Sequence, residues 1–330
     1  MRITVIGGGS WGTALAHVMA DKQYEVTLLT RDPAQAEDIN LHHSNPRYLP
    51  GLALSPRVRA GTDAKDALKD AAICILAVPC QFLRGRLEEL VPCFPERAIP
   101  VCASKGIETG SLKRMSEVVA ESLPALSGRY AIVSGPSFAK EVVEGKPAAV
   151  ALGCADPALG EFLRGALSGS HFRVYSSTDV VGVELGGAIK NIMAIAAGLC
   201  DGLALGYNAR AALITRGLAE MSRLGVALGA RPSTFMGLSG MGDLVLTCTG
   251  DLSRNRQVGM RLASGQSPED IATGMHMVAE GVKTTEAVRS LGERLDVDMP
   301  IVDAVYRVLV KGAGAQSLMR ELMSRALREE

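Results

Sequence analysis

The first dozen residues constrain this chain more than any other stretch. Arg2 to Ile6 (RITVI) is a short β-branched run, and Gly7-Gly8-Gly9-Ser10-Trp11-Gly12 follows it directly. The next residues, Thr13-Ala14-Leu15-Ala16-His17-Val18-Met19, read as a helix. Gly7, Gly9 and Gly12 fill the pattern G-x-G-x-x-G between strand and helix. In that setting the first glycine permits the tight turn and the second lets backbone approach a pyrophosphate, while the third lets helix pack on strand. The free N–H groups and positive dipole end of the helix start then face the phosphates. The position of the glycines, more than the glycines themselves, points to a dinucleotide site.

At 330 residues the chain is long for one hydrophobic core, and two domains are expected, at 1–180 and 181–330. Hydrophobic residues at 47% and charged residues at 21% belong to a globular protein rather than a disordered one. A formal net charge of zero argues against nucleic acid or an anionic membrane as partner, so charge on a small-molecule ligand must be met locally. The seven cysteines, at 74, 80, 93, 102, 154, 200 and 248, are scattered without a C-x-x-C pair. They read as reduced core thiols of a cytoplasmic protein, with no metal site or disulfide framework. The N-terminus is already a core strand, leaving no room for a signal peptide. The longest apolar stretch, Leu185 to Leu199, carries Lys190 and Asn191 at its middle and is too short for a membrane span.

A second strand is expected at Glu25 to Thr30, ending in Arg31-Asp32. In an NAD-binding unit the acid that takes the ribose hydroxyls lies about 20 residues past the glycines, at the end of this strand. Arg31 stands there instead, and a guanidinium can fork onto a ribose 2′-phosphate. NADP(H) use follows, with Asp32 keeping NAD(H) open. Residues 33–70 read as helix and loop, with turns at Asn45-Pro46, Leu49-Pro50-Gly51 and Ser55-Pro56. Ala71 to Val78 is a continuous apolar run, the pattern of a parallel strand buried on both faces. Ile99 to Ala103 delivers Ser104-Lys105-Gly106, and Tyr130 to Val133 delivers Ser134-Gly135-Pro136-Ser137-Phe138-Ala139. Ligands of open α/β sheets bind outside the carboxyl ends of the strands, so Lys105 and the 135–139 loop point toward the cofactor. Ala148 to Leu152 is expected to be the last strand.

From Asp179 the pattern turns helical. One long helix is expected over Val180 to Leu199 and a second over Asn208 to Leu224, with four or five shorter ones ending in Gln316 to Leu327. The glycine-rich stretch Met236 to Asp243 reads as a loop. The fold class is therefore α/β: an N-terminal, mostly parallel sheet domain followed by an all-helical C-terminal domain, with a ligand cleft between them. On the first long helix Lys190 shares a face with Val183, Gly186, Gly187 and Ala194, which suggests a groove of bare backbone around one confined ammonium. Ser253 is a good N-cap, placing Arg254 and Asn255 in a first helical turn where a basic residue opposes the dipole unless an anion is held there. A solvated amphipathic face and a plain charge run are the bland alternatives for these two clusters.

Gly7 to Leu15, Ser104-Lys105-Gly106, Ser134 to Ser137, Gly186 to Asn191 and Ser253-Arg254-Asn255 together resemble the bacterial NAD(P)-dependent glycerol-3-phosphate dehydrogenases, along nearly the whole chain. The resemblance implies a Rossmann-type cofactor domain and reduction of dihydroxyacetone phosphate to sn-glycerol 3-phosphate, the backbone of phospholipids. It implies that Lys190 gives and takes the proton, with Lys105, Asn191, Asp243 and Thr247 around the reacting oxygens. Ser253, Arg254 and Asn255 match the family's phosphate contacts, with Gly135, Ser137 and Lys105 near substrate. Gly7, Gly9, Ser10, Trp11, Gly12, Arg31, Lys105, Ala139, Arg254, Val278 and Glu280 match its NADP or NAD contacts; no metal is implied. Burial beside a second cation would bring Lys190 toward working pH. A homodimer stays open as an assembly. Two other readings stand beside this one: a 3-hydroxyacid dehydrogenase of the 6-phosphogluconate type, and a non-catalytic NADP(H)-binding redox sensor.

Overall fold

The computed structural model describes residues 1–274 and 279–324. Ten strands come first: β1 (Arg2–Ile6), β2 (Glu25–Leu29), β3 (Ser44–Asn45), β4 (Leu49–Ala53), β5 (Val58–Gly61), β6 (Ile73–Leu76), β7 (Ile99–Cys102), β8 (Ala131–Ser134), β9 (Ala148–Cys154) and β10 (Phe172–Ser177). Eight of them form one sheet in the order β10-β9-β8-β7-β6-β1-β2-β5. Every pairing in it is parallel except β8 with β9. Because β1 lies between β2 and β6, the order reverses there, and the crevice for a ligand opens at its carboxyl end. The glycine turn occupies that point.

Successive side chains of a strand face opposite sides of a sheet, and β6 shows both sides buried. Ile73 and Ile75 join the core beneath the first helix, Ser10–Asp21, whereas Cys74 and Leu76 join a second core with Leu83, Leu87 and Val118. A third core fills the helical half around Val180–Gly202, against which Gly206–Ala227, Asp243–Thr249, Arg254–Ala263 and Glu280–Arg294 pack. That central helix is long and apolar enough to cross a membrane by length and composition, but 89% of the qualifying window is buried inside the structure. It is the axis of a helical core.

Several expectations are corrected here. Residues 33–70 hold the β3–β4 hairpin and β5 besides the helix Pro33–His42, and β10 follows what was expected to be the last strand. Strand β5 is only four residues long, with one neighbour, and Arg59 breaks its apolar pattern. β10 is an edge strand whose FRVYSS sequence buries only Phe172 and Val174, so each carries half the signal of an interior strand. After the two long helices, seven shorter α-helices lie among the described residues rather than four or five. The stretch read as a glycine loop contains a π-helical turn, Leu238–Gly242, running straight into Asp243–Thr249. The last helix is described as Ala315–Met323 and ends at Ser324, and residues 325–327 of its expected span lie outside the described residues.

Two buried carboxylates fix the start of the central helix. Asp179 caps the central helix by accepting from Gly182 N at 2.9 Å, and its other oxygen accepts from Arg231 N and Thr234 Oγ1. Glu184, one turn on, accepts from Arg114, from Ser116 through both N and Oγ, and from Tyr130 Oη, all within 3.0 Å. Its partners leave no lone pair idle, which is what a charge buried between two halves of a chain requires.

Candidate active site

The three motif glycines serve three purposes. Gly7 has φ +114° and a Cβ there would lie 2.5 Å from the Ala77 carbonyl, while a Cβ on Gly12 would collide with the Gly7 carbonyl. Gly9 has nothing within 4 Å of a Cβ position, so bare backbone faces the groove. Gly12 acts through packing and does not line it; Gly7, Gly9, Ser10 and Trp11 do. This cradle fits a pyrophosphate on the start of helix Ser10–Asp21.

Arg31 lines the far end of the groove beyond β2 and is exposed. Asp32 is otherwise engaged: it caps the helix Pro33–His42 through Ala34 N at 3.0 Å and lies 3.5 Å from Arg47. Arg47 and Tyr48, on the unexpected hairpin, also line the groove, with Ser10 Oγ donating to the Tyr48 carbonyl at 2.9 Å. Phe82, 57% exposed on the helix Cys80–Leu90, stands in the groove wall as well. Sequence reasoning missed all three, because Asn45-Pro46 reads as a turn and Phe82 as one apolar residue among many.

A second pocket continues from the groove, sharing Ser10, Trp11, Tyr48, Ala103, Arg254 and Glu280 with it. At its base one carboxylate holds two lysines. Asp243 Oδ1 accepts from Lys190 Nζ at 2.6 Å and Oδ2 from Lys105 Nζ at 2.7 Å. Thr247 Oγ1 accepts a second bond from Lys190 at 2.7 Å and donates to the Asp243 carbonyl at 2.6 Å. The side chains are 9% exposed for Lys190, 14% for Lys105 and 1% for Asp243. Burial pulls Lys190 down to about 8; Asp243 opposes that shift and Lys105 adds to it. Burial alone would raise the Asp243 carboxyl, but the two ammoniums overcome it and hold the group below the usual carboxylate range.

The small-residue face of the central helix is not the bare groove expected. A Cβ on Gly186 would strike the Ser239 carbonyl of the π-helical turn, and one on Gly187 the Ser134 hydroxyl. The glycines let β8 and the π turn approach the helix until Lys105 and Asp243 reach Lys190. Close approach recurs further along, where Gly198 and Gly259 bring the central helix and Arg254–Ala263 into backbone contact. That crossing fixes where Arg254–Ala263 begins.

Ser253 Oγ accepts from Arg256 N at 3.2 Å, so Arg254 and Asn255 do occupy a first helical turn. Asn255 donates to Asn191 Oδ1 at 3.0 Å and accepts from Gly281 N at 3.1 Å, which locks both carboxamides at the pocket wall. Arg254 and Glu280 line both groove and pocket. Burial lowers the Arg254 pKa and raises that of Glu280, each opposed by the other's charge. Glu280 Oε1 also accepts from Cys80 N at 3.4 Å, joining the helical half to the sheet. Ser137 and Ala139 line the pocket. Gly135 is set one step back: it packs on Val150, and its carbonyl lies 3.4 Å from Lys105 Nζ. Val278 lies outside the described residues.

A dinucleotide groove at the switch point of a doubly wound sheet, opening into a pocket with two lysines on one carboxylate, defines a two-part nicotinamide-dependent dehydrogenase. The chain belongs to the NAD-dependent glycerol-3-phosphate dehydrogenase family: residues 2–160 match that family's N-terminus and residues 179–320 its C-terminus. It is 60% identical over 330 residues to a glycerol-3-phosphate dehydrogenase [NAD(P)+] of Oleidesulfovibrio alaskensis, covering 100% of both chains. Against the protein of the same description from Nitratidesulfovibrio vulgaris the identity is 61%, again over 100% of both. The crystal structure of glycerol-3-phosphate dehydrogenase from Coxiella burnetii superimposes with TM-score 0.92 at 37% identity, covering 98% of this chain and 99% of that one. D-mandelate dehydrogenase, at 14% identity and TM-score 0.62, shares the fold alone.

Proposed function

We propose that this protein reduces dihydroxyacetone phosphate to sn-glycerol 3-phosphate, with Lys190 as proton donor. The observation that carries this reading is the Lys190–Asp243–Lys105 cluster at the base of a pocket continuous with the glycine turn. The reduced nicotinamide supplies the hydride. Two ammoniums on one carboxylate leave the cluster one positive charge in excess, suited to an oxygen that becomes an alkoxide. Lys190 then gives that oxygen its proton, and takes one back in the oxidation direction. Thr247 and Asp243 hold the ammonium in place, and Asn191 fixes the adjacent wall through Asn255.

Arg254, with Ser253 and Asn255 at the helix start, holds the substrate phosphate, and Ser137 closes the same pocket. Lys105 serves both substrate and cofactor, while Ala139 and Glu280 border the nicotinamide end. Arg31 takes the 2′-phosphate of NADP(H), with Arg47 cancelling the charge of Asp32. The cofactor and substrate domains divide at 180/181, and the enzyme works in the cytoplasm. A redox sensor would leave the two-lysine cluster without employment. Mixing the protein with NADPH and dihydroxyacetone phosphate tests the reading: NADPH absorbance falls with the phosphorylated ketone and barely changes with dihydroxyacetone. No oxidation with either ketone, or equal rates with both, would refute it.

A further inference from the structure

The motif requires glycine at 7, 9 and 12 and leaves position 8 free, yet residue 8 is also glycine. A Cβ there would lie 2.7 Å from Gln35 Oε1 and 2.9 Å from Gln35 Nε2, so the Gln35 carboxamide fills the space a side chain would take. That carboxamide donates through Nε2 to the Gly8 carbonyl and accepts from Thr30 Oγ1. Two more donors converge on the same oxygen: Asn45 Nδ2 at 3.1 Å and Thr13 Oγ1 at 3.3 Å. Asn45 and Thr13 are wholly buried and Gln35 is 7% exposed. A carbonyl oxygen has two lone pairs, so three donors exceed what satisfying it requires.

The consequence follows from peptide geometry. A trans peptide sets its C=O and its N–H on opposite sides, and no peptide bond in the described structure is cis. Drawing the Gly8 carbonyl inward therefore turns the Gly9 N–H outward, toward the groove that Gly9 lines. We propose that Gln35, Asn45 and Thr13 are positioning residues that lock the Gly8–Gly9 peptide with its N–H facing the cofactor pyrophosphate. The inference rests on the reading that the glycine turn holds a dinucleotide. The anion site is then built before the cofactor arrives, by donors from the first helix, the second helix and the β3–β4 hairpin. Since NADH and NADPH share the pyrophosphate, the lock acts on both alike, whereas Arg31 distinguishes them.

Gln35→Glu tests this with little change of shape. It keeps an acceptor for Thr30 and loses the donation to Gly8 whenever the new carboxyl is ionised. At pH 8 the Kd values for NADH and NADPH both rise about 10- to 100-fold and by the same factor, while kcat at saturating cofactor stays near wild type. As pH falls and the carboxyl protonates, it donates again and affinity returns, a recovery wild type lacks. Asn45→Asp shows the same equal loss. Should either variant fail to fold, Thr13→Val removes the longest donation, with a loss of about 3- to 10-fold for both cofactors. A loss confined to melting temperature, or unequal for the two cofactors, would overturn the lock. Wild-type protein that binds neither cofactor would instead overturn the dinucleotide reading, whereas wild type and both acidic variants binding equally tightly would overturn the lock alone.

Discussion

The cofactor groove and the substrate pocket share a wall but are made of different material. The groove is backbone along the glycine turn, where Gly7 faces a carbonyl and Gly9 open space, with Arg31, Arg47, Tyr48 and Phe82 as its side-chain wall. The pocket is side chain: Lys105 comes from the loop after β7, and Lys190, Asp243 and Arg254 come from three separate helices. A backbone site is neutral and costs little to bury, whereas a site of ionised side chains is stable only while each charge has its partner. Displaced protonation equilibria accordingly collect in the pocket, at Lys190, Asp243 and Arg254.

The largest expected effect would break the pocket and spare the groove. Lys190→Met keeps length and removes the proton, so turnover falls by about 10² to 10⁴ while NADPH binding is retained. In wild type the reduction rate falls as pH rises through about 8, where Lys190 loses its proton, and Lys190→Met loses that limb. A wild-type pH profile in Lys190→Met, with turnover lost in Lys105→Met, would exchange the two roles.

Another buried carboxylate sharpens the contrast within the helical half. Glu220 accepts from Ile301 N and Val302 N at 2.8 and 3.3 Å, and burial, which outweighs those bonds and the charge of Arg223, pushes it up to about 7. Its folded pKa lies above its unfolded one, so the native state binds the extra proton and stability falls as pH rises between about 4.5 and 7, by about 3 kcal/mol. Glu220→Gln should flatten that part of the pH–stability curve in chemical denaturation. An unchanged slope would show that Glu220 is ionised in the fold.

Arg254→Ala removes the charge at the junction of the two regions. The apparent affinity for dihydroxyacetone phosphate should weaken by about 1.5 to 3 kcal/mol, read as a rise in KM. An unchanged KM would place the phosphate elsewhere. The most selective effect belongs to the groove: Arg31→Ala weakens NADPH by about 1.5 to 3 kcal/mol and NADH much less, measured by fluorescence titration. Equal loss for both cofactors would remove Arg31 from the 2′-phosphate, and Arg47 would be the next residue to replace.

Legibility in the sequence followed the same division. The strand–glycine–helix unit was readable because its residues are contiguous and β1 is buried on both faces. Ser253 as an N-cap was readable for the same reason, since a cap and the amide it holds are neighbours in sequence. The short or edge strands β5 and β10 were not, because half-exposed strands blur the apolar pattern. Gln35 gave no signal and Asn45 only that of a turn; their purpose lies in a carbonyl 27 and 37 residues away.

The face of the central helix shows where sequence stops. Its spacing placed Lys190 among Gly186, Gly187 and Ala194, and that much is a property of any helix. Whether those glycines lined an empty groove or admitted another segment was decided by the π-helical turn and β8, which pack on them and bring Asp243 and Lys105 to one ammonium. Local periodicity and turn chemistry act over a few residues and are written in order along the chain. The charge balance of a buried site depends on which distant segments meet, and burial sets its strength, so only the folded molecule fixes which lysine is held near neutrality.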